Sequence, residues 1–370
     1  MSRLGLIVNP IAGMGGRVGL KGTDGVAERA RELGATPVAP ERAARALGRL
    51  ERAGDGLTLV VAPGQMGADA AAARGLETEV LPCAGGRVTT ADDTHTAAAE
   101  LERRGVGLIL FAGGDGTTRD IHDVVGDRVP ILGIPTGVKM HSAVFATTPE
   151  SAGDVAASFV SRAPNGPLRD AEVVDVDEDA ARAGTIATRL YGAVRVPDDR
   201  LRVQAAKLGS LPSDDTAVDA ACARLAASMD PRRIYVVGPG TTMRRIMRHL
   251  GLPKTLLGID AVRGGRLIGA DLAEPELLEV LDGESATLLV GVVGGQGALF
   301  GRGNQQLSPA VLRRIGLENV EIIAGLQKLL ALDPPRLSVD TGDPELDAAL
   351  SGYRRVHVAP RRTLVYRVTA

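Results

Sequence analysis

Short apolar runs, separated by polar, alanine-rich stretches, set the rhythm of the first 150 residues. LGLIVN (4–9), LTLVVA (57–62), TEVLP (78–82), GLILFA (107–112) and VPILGI (129–134) are of strand length and largely apolar. Between them, ERAARALGRLERAG (41–54) and TADDTHTAAAELERRG (90–105) read as helices. The second opens with Thr/Asp capping chemistry and closes at Gly105. Continuous apolar strands divided by single helices predict a parallel sheet covered on both faces. Residues 1–162 are therefore expected to form a doubly wound α/β domain, closing on a helix over 141–162 with a break at Pro149.

After APNGP (163–167) the pattern changes. AEVVDVDEDAA (171–181) and TIATRLYGAVRVP (185–197) alternate apolar with polar residues, the signature of antiparallel strands with one solvated face. A helix at about 214–229, the strand-loop-helix RRIYVVGPGTT (232–242) and the segment ATLLVGVVGGQGALFGRGNQQLSP (286–309) follow. The reading is a second, mixed α/β or β-rich domain over 163–352, with residues 353–370 returning as a strand to the first domain.

Glycine is the deviant count, 47 in 370 residues, and the glycines gather behind strands. NPIAGMGG, APGQMG, PCAGG, AGGDGTT and IPTGVK each follow a predicted strand. In a parallel sheet those ends share one edge, where ligands bind. The formal net charge of −2 and the 2% aromatic content argue against nucleic acid as partner. No run approaches the length needed to span a bilayer, and the opening apolar run is too short for a signal sequence. Cys83 and Cys222 form neither a disulfide framework nor a zinc pattern. A cytoplasmic protein with no membrane partner is expected.

The loop GGDGTT (113–118) carries the chemistry. Gly113, Gly114 and Gly116 let backbone amides approach an anion, and Thr117 and Thr118 add hydroxyls at a helix start. Asp115 is out of place in a loop built only for phosphate. It fits a general base acting on a hydroxyl, or a bridge to phosphate-bound Mg²⁺, with Asp120 as an alternative carboxylate for the metal. A plain turn would also accept an Asp. At the next strand end Thr136, Gly137 and Lys139 could face transferring phosphate, with His141 assisting. Asn9, Lys21 and Asp24 lie in the first glycine loop. Gly238, Gly240 and Thr241 repeat the strand-loop-helix pattern as a second anion site, and Arg302, Asn304 and Gln305 offer groups for an acceptor.

NPIAGMGGRVGLKGTDG (9–25), GGDGTTRDI (113–121), GIPTGVKMHSAVFA (133–146), YGAVRVP (191–197), GPGTT (238–242) and GRGNQQLSP (301–309) together resemble the NAD kinase superfamily. Diacylglycerol kinases, sphingosine kinases and 6-phosphofructokinases share related motifs. The match is closest to the ATP-NAD kinase-like branch, which includes the acetoin-catabolism X proteins. The resemblance implies a kinase using Mg²⁺ with ATP, or polyphosphate, and NAD as the favoured acceptor, in a homo-oligomer. It implies Asp115 as the base that takes the ribose 2′-hydroxyl proton, with Asn9 and the loop glycines and threonines on the nucleotide. The Asn-Glu pair by which typical NAD kinases grip the dinucleotide has no counterpart in the expected stretch. A polyol, sugar or acetoin-related acceptor, or a nucleotide-binding regulator without turnover, are the alternatives.

Overall fold

The computed structural model describes residues 2–20, 26–50, 57–82, 89–137, 140–162, 166–176, 188–199, 202–203, 212–293 and 297–370. The described chain divides into two compact units.

The first unit is built on β1 (Ser2–Val8), β2 (Leu57–Val61), β3 (Thr78–Val80), β4 (Leu108–Gly113) and β5 (Ile131–Pro135). These are the predicted apolar runs, and they pair in parallel in the order β3-β2-β1-β4-β5. β4 and β5 are buried along their whole length, as strands covered on both faces must be. The helices are α1 (Ala27–Glu32), α2 (Ala39–Leu47), α3 (Ala68–Ala72), α4 (Ala91–Arg103), α5 (Asp115–Val125) and α6 (Pro149–Val160). α4 starts where its capping chemistry predicts: the Thr90 amide and hydroxyl both donate to Asp93, at 2.8 and 3.0 Å.

Residues 141–148, expected as helix, are not. Thr148 is extended (φ −140°, ψ 166°) and its hydroxyl caps Ser151, so Pro149 begins α6 rather than breaking it. Proline lacks the amide a mid-helix position needs and biases the preceding residue away from helix, and both are harmless at a first helical position. The freed stretch instead bridges to β5: Gly133 donates to Val144, and Ala146 donates back to Gly133, each at 2.9 Å.

The alternating segments form an antiparallel pair, β6 (Leu168–Val176) with β7 (Thr188–Pro197). Their expected place was the second domain, yet this hairpin groups with the first unit. Its apolar face decides the matter, since Val173, Val194 and Val196 are buried in the core made by β1, β4 and β5.

The second unit is a nine-stranded sheet, order β10-β9-β8-β11-β13-β15-β16-β14-β12. Its strands are β8 (Ile234–Val237), β9 (Asp260–Arg263), β10 (Arg266–Gly269), β11 (Ala286–Gly291), β12 (Ala298–Phe300), β13 (Val320–Ile323), β14 (Leu337–Val339), β15 (Gly352–Ala359) and β16 (Arg362–Thr369). β8, β11, β13 and β15 run parallel, whereas β9, β10 and the β15–β16 hairpin supply the antiparallel pairs. The C-terminal residues thus do not return to the first unit as a strand. β16 lies between β15 and β14, because its inward residue Val368 joins the second core.

Candidate active site

The order of the first sheet reverses between β1 and β4: the chain winds outward from β1 to β3, then crosses to β4 and β5. Such a switch point opens a crevice beyond the strand ends. Asn9 follows β1 and Gly114 follows β4, so the NP and GGDG loops meet there. Asn9 ties them together. Its amide N–H donates to Ala112 at 2.9 Å and its side-chain nitrogen donates to Thr117 Oγ1 at 3.0 Å. Gly13 sits at φ +77°, where a Cβ would lie 1.7 Å from the Thr136 carbonyl oxygen. The first loop therefore packs backbone to backbone against the end of β5, an approach only glycine permits.

Asp115 opens α5 and its residue surface is 6% exposed. Both carboxylate oxygens are held by consecutive backbone amides from the stretch after β5. His141 N–H donates to Oδ2 at 2.7 Å, and Ser142 N–H donates to Oδ1 at 2.9 Å. His141 Nδ1 lies 3.2 Å from the same Oδ2. The clamp is itself anchored: Val174 N–H donates to Ser142 Oγ at 3.0 Å, and Ala143 N–H donates to Glu172 at 2.9 Å, both on β6. Thr136 Oγ1 donates to the Gly113 carbonyl at 2.7 Å, joining the ends of β4 and β5.

The threonines of the loop face inward. Thr117 Oγ1 accepts from Asn9, and Thr118 Oγ1 donates to Gly114 at 3.0 Å. Both side chains are buried, so their hydroxyls shape the turn. What remains for an anion is the helix start, where the amides of Asp115, Gly116 and Thr117 have no carbonyl one turn earlier. Gly137 N–H points to Met140 Sδ at 3.4 Å. Asp120 stands five positions beyond Asp115, about 140° round the helix and about 7.5 Å along it. It lies 3.9 Å from His95 Nε2 on α4, away from the Asp115 carboxylate. Lys21, Asp24 and Lys139 fall outside the described residues, as does Cys83.

The candidates in the second unit are tied into their own loops. Gly238 N–H donates to Leu289 at 2.9 Å and Gly240 N–H to Leu256 at 2.7 Å, while Thr241 is exposed at the start of the helix Thr241–His249. Asn304 accepts from Gly301 N–H at 3.0 Å and donates to Leu299 at 2.9 Å. Gln305 donates to Gly301 at 3.0 Å, and Arg302 is buried. Sequence reasoning gave no place to Ser142 or to the 141–142 amides. These partners lie 26 and 27 residues from Asp115, and backbone donors leave no mark in the residue code.

Fold and loop define a doubly wound α/β protein with a carboxylate at its switch point. The ATP-NAD kinase N-terminal domain model matches residues 4–163, and the ATP-NAD kinase C-terminal domain model matches residues 232–368. These two matches span most of the chain, which belongs to the ATP-NAD kinase family. A comparison with curated proteins found no match. Among the described residues no helix is long and apolar enough to cross a membrane.

Proposed function

We propose that this chain transfers the γ-phosphoryl group of Mg·ATP to a hydroxyl, with the adenosine ribose 2′-hydroxyl of NAD as acceptor and NADP as product. The observation that carries the reading is the Asp115 carboxylate, buried at the switch point and clamped on both oxygens beside an amide-rich helix start. Phosphoryl transfer asks little of a protein beyond positioning, charge neutralisation and one base. The first amides of α5 supply a cradle for phosphate oxygens, and the Asp115 centre supplies the base. Oδ2 already accepts an amide and faces an imidazole, so both its lone pairs are engaged. That disfavours a metal bridge through Asp115 and leaves the proton step to the Asp115 centre as a whole. In this reading Mg²⁺ enters with the nucleotide as Mg·ATP, its charge offsetting that of the phosphates.

A second reading keeps the transfer and changes the acceptor to a small polyol, sugar or acetoin-related metabolite. The missing Asn-Glu pair favours it. One screen separates the readings: ADP release from Mg·ATP against NAD, NADH, sugars and polyols, with a parallel arm using polyphosphate as donor. Turnover with NAD supports the first reading, and turnover with a polyol alone replaces it by the second. Stoichiometric nucleotide binding with no turnover on any acceptor makes the chain a binding regulator instead.

A further inference from the structure

The surroundings of Asp115 say more than that a base is present. With Oδ1 accepting the Ser142 amide and Oδ2 accepting the His141 amide, the carboxylate is oriented from behind and 93% of its side-chain surface is covered. The imidazole in contact with it is the more open group, its side chain 16% exposed against 7%. Nδ1 faces Oδ2 at 3.2 Å, and Nε2 makes no hydrogen bond among the described residues. A buried carboxylate on Nδ1 and an unengaged Nε2 is the arrangement by which a carboxylate fixes an imidazole tautomer and leaves the far nitrogen as proton acceptor.

We propose that His141 is a catalytic residue of this chain: Asp115 and His141 form a dyad in which Nε2 of His141 takes the proton of the acceptor hydroxyl. The proposal rests on the phosphotransfer reading and assigns the atom that performs its proton step. As the acceptor oxygen forms its bond to the γ-phosphorus, its proton passes to Nε2. The bond from that phosphorus to the β,γ-bridging oxygen breaks, and ADP leaves with the electron pair. The imidazolium so formed donates Nδ1–H to Oδ2, whose negative charge stabilises it. Asp115 remains ionised throughout, held by its two amides.

The first test needs no turnover. Imidazole ¹⁵N shifts of the wild-type protein are expected to show His141 with its proton on Nδ1, and Asp115→Asn is expected to remove that preference. A wild-type Nε2–H tautomer would overturn the dyad whatever the chain phosphorylates. The second test follows once ADP release has identified an acceptor. His141→Ala is expected to lower kcat about 10²–10⁴-fold with KM nearly unchanged, and added imidazole to restore part of the loss. His141→Asn places an amide nitrogen where Nδ1 stood, so it can still donate to Asp115 but has nothing at Nε2. It is expected to stay as impaired as His141→Ala. Wild-type turnover in the Asn variant would show that His141 only props the carboxylate, and would overturn the proposal. Should His141→Ala fail to fold, the Asn variant decides alone. An acceptor screen with no turnover at all removes the phosphotransfer reading, while the ¹⁵N result still judges the dyad.

Discussion

At the scale of single residues, the consequence of the clamp on Asp115 is that charge and shape can be separated only in part. Asp115→Asn keeps the side-chain volume but turns one oxygen into an NH₂ that must face an amide N–H, either His141 or Ser142. A buried donor without an acceptor costs about 1–3 kcal/mol, so a modest fall in melting temperature is expected. Turnover should fall far more, by about two to four decades, with ATP affinity retained. Calorimetric ATP binding beside initial rates checks this, and unchanged turnover would remove Asp115 from the chemistry. Cys222 gives a quieter prediction. Burial pushes its thiol up to about 12, so at pH 8 it stays protonated in the native protein. Iodoacetamide should label Cys222 only after denaturation, which peptide mass spectrometry can read. Asp115 was legible from the residue code alone, because a carboxylate among glycines needs a reason. Its partners were not: they are main-chain groups brought in by a loop whose conformation depends on Pro149 and on β6.

Among the elements, the parallel strands were legible because strands buried on both faces must be apolar runs, and those runs stand out. The β6–β7 hairpin was read as strands and assigned to the wrong unit, and the C-terminal residues, read as one strand returning to the first domain, form the β15–β16 hairpin of the second sheet. Alternation tells which face is apolar, and nothing in it names the core that the face will join. The α2–α6 crossing shows what specifies a partner. Arg45 pairs with Glu150 at 2.8 Å and Arg49 with Asp154 at 3.0 Å, both through two hydrogen bonds. Burial pushes the Glu150 carboxyl up, but Arg45 outweighs it and holds it below the usual range. The pair therefore contributes above the unfolded carboxylate pKa and is lost as pH falls through the lower folded value. These groups are partly solvated, which limits each pair to under about 1 kcal/mol. Close approach matters more, since a Cβ on Gly153 would lie 2.1 Å from the Ala46 carbonyl oxygen. Gly153→Ala should cost about 1–3 kcal/mol by forcing α2 and α6 apart, and Arg49→Gln clearly less. Urea midpoints of the two variants at pH 7 test this, and the reverse order would mean that charge rather than backbone contact holds the crossing.

For the whole molecule, the decisive feature is that each unit has its own interior. One buried apolar cluster runs through β1, β2, β4, β5, α6 and the β6–β7 hairpin, and all of its members lie between Leu4 and Val203. Two others, from Val218 to Val368, fill both faces of the nine-stranded sheet. Every strand of that sheet lies between Ile234 and Thr369, so among the described residues none before 207 contributes a backbone ladder to it. A domain of about 160 residues is long enough to bury most of its apolar surface alone. A fragment of residues 207–370 should therefore fold by itself, although residues 15–20, which group with this unit through bonds such as Glu274 N–H to the Arg17 carbonyl at 3.1 Å, would be missing. Loss of that short segment lowers stability without removing a member of either core cluster. The expected result is a single cooperative urea transition by circular dichroism, with a slope of about 1–3 kcal/mol per molar. Adding ATP should leave its midpoint unmoved if the phosphate cradle belongs wholly to the first unit, because only a ligand that binds the native state shifts the transition. A broad, sloping transition would mean that the sheet depends on the first unit for its fold. A midpoint that rises with ATP would place a nucleotide contact in the second unit, and would point back to the loop at Gly238–Thr241.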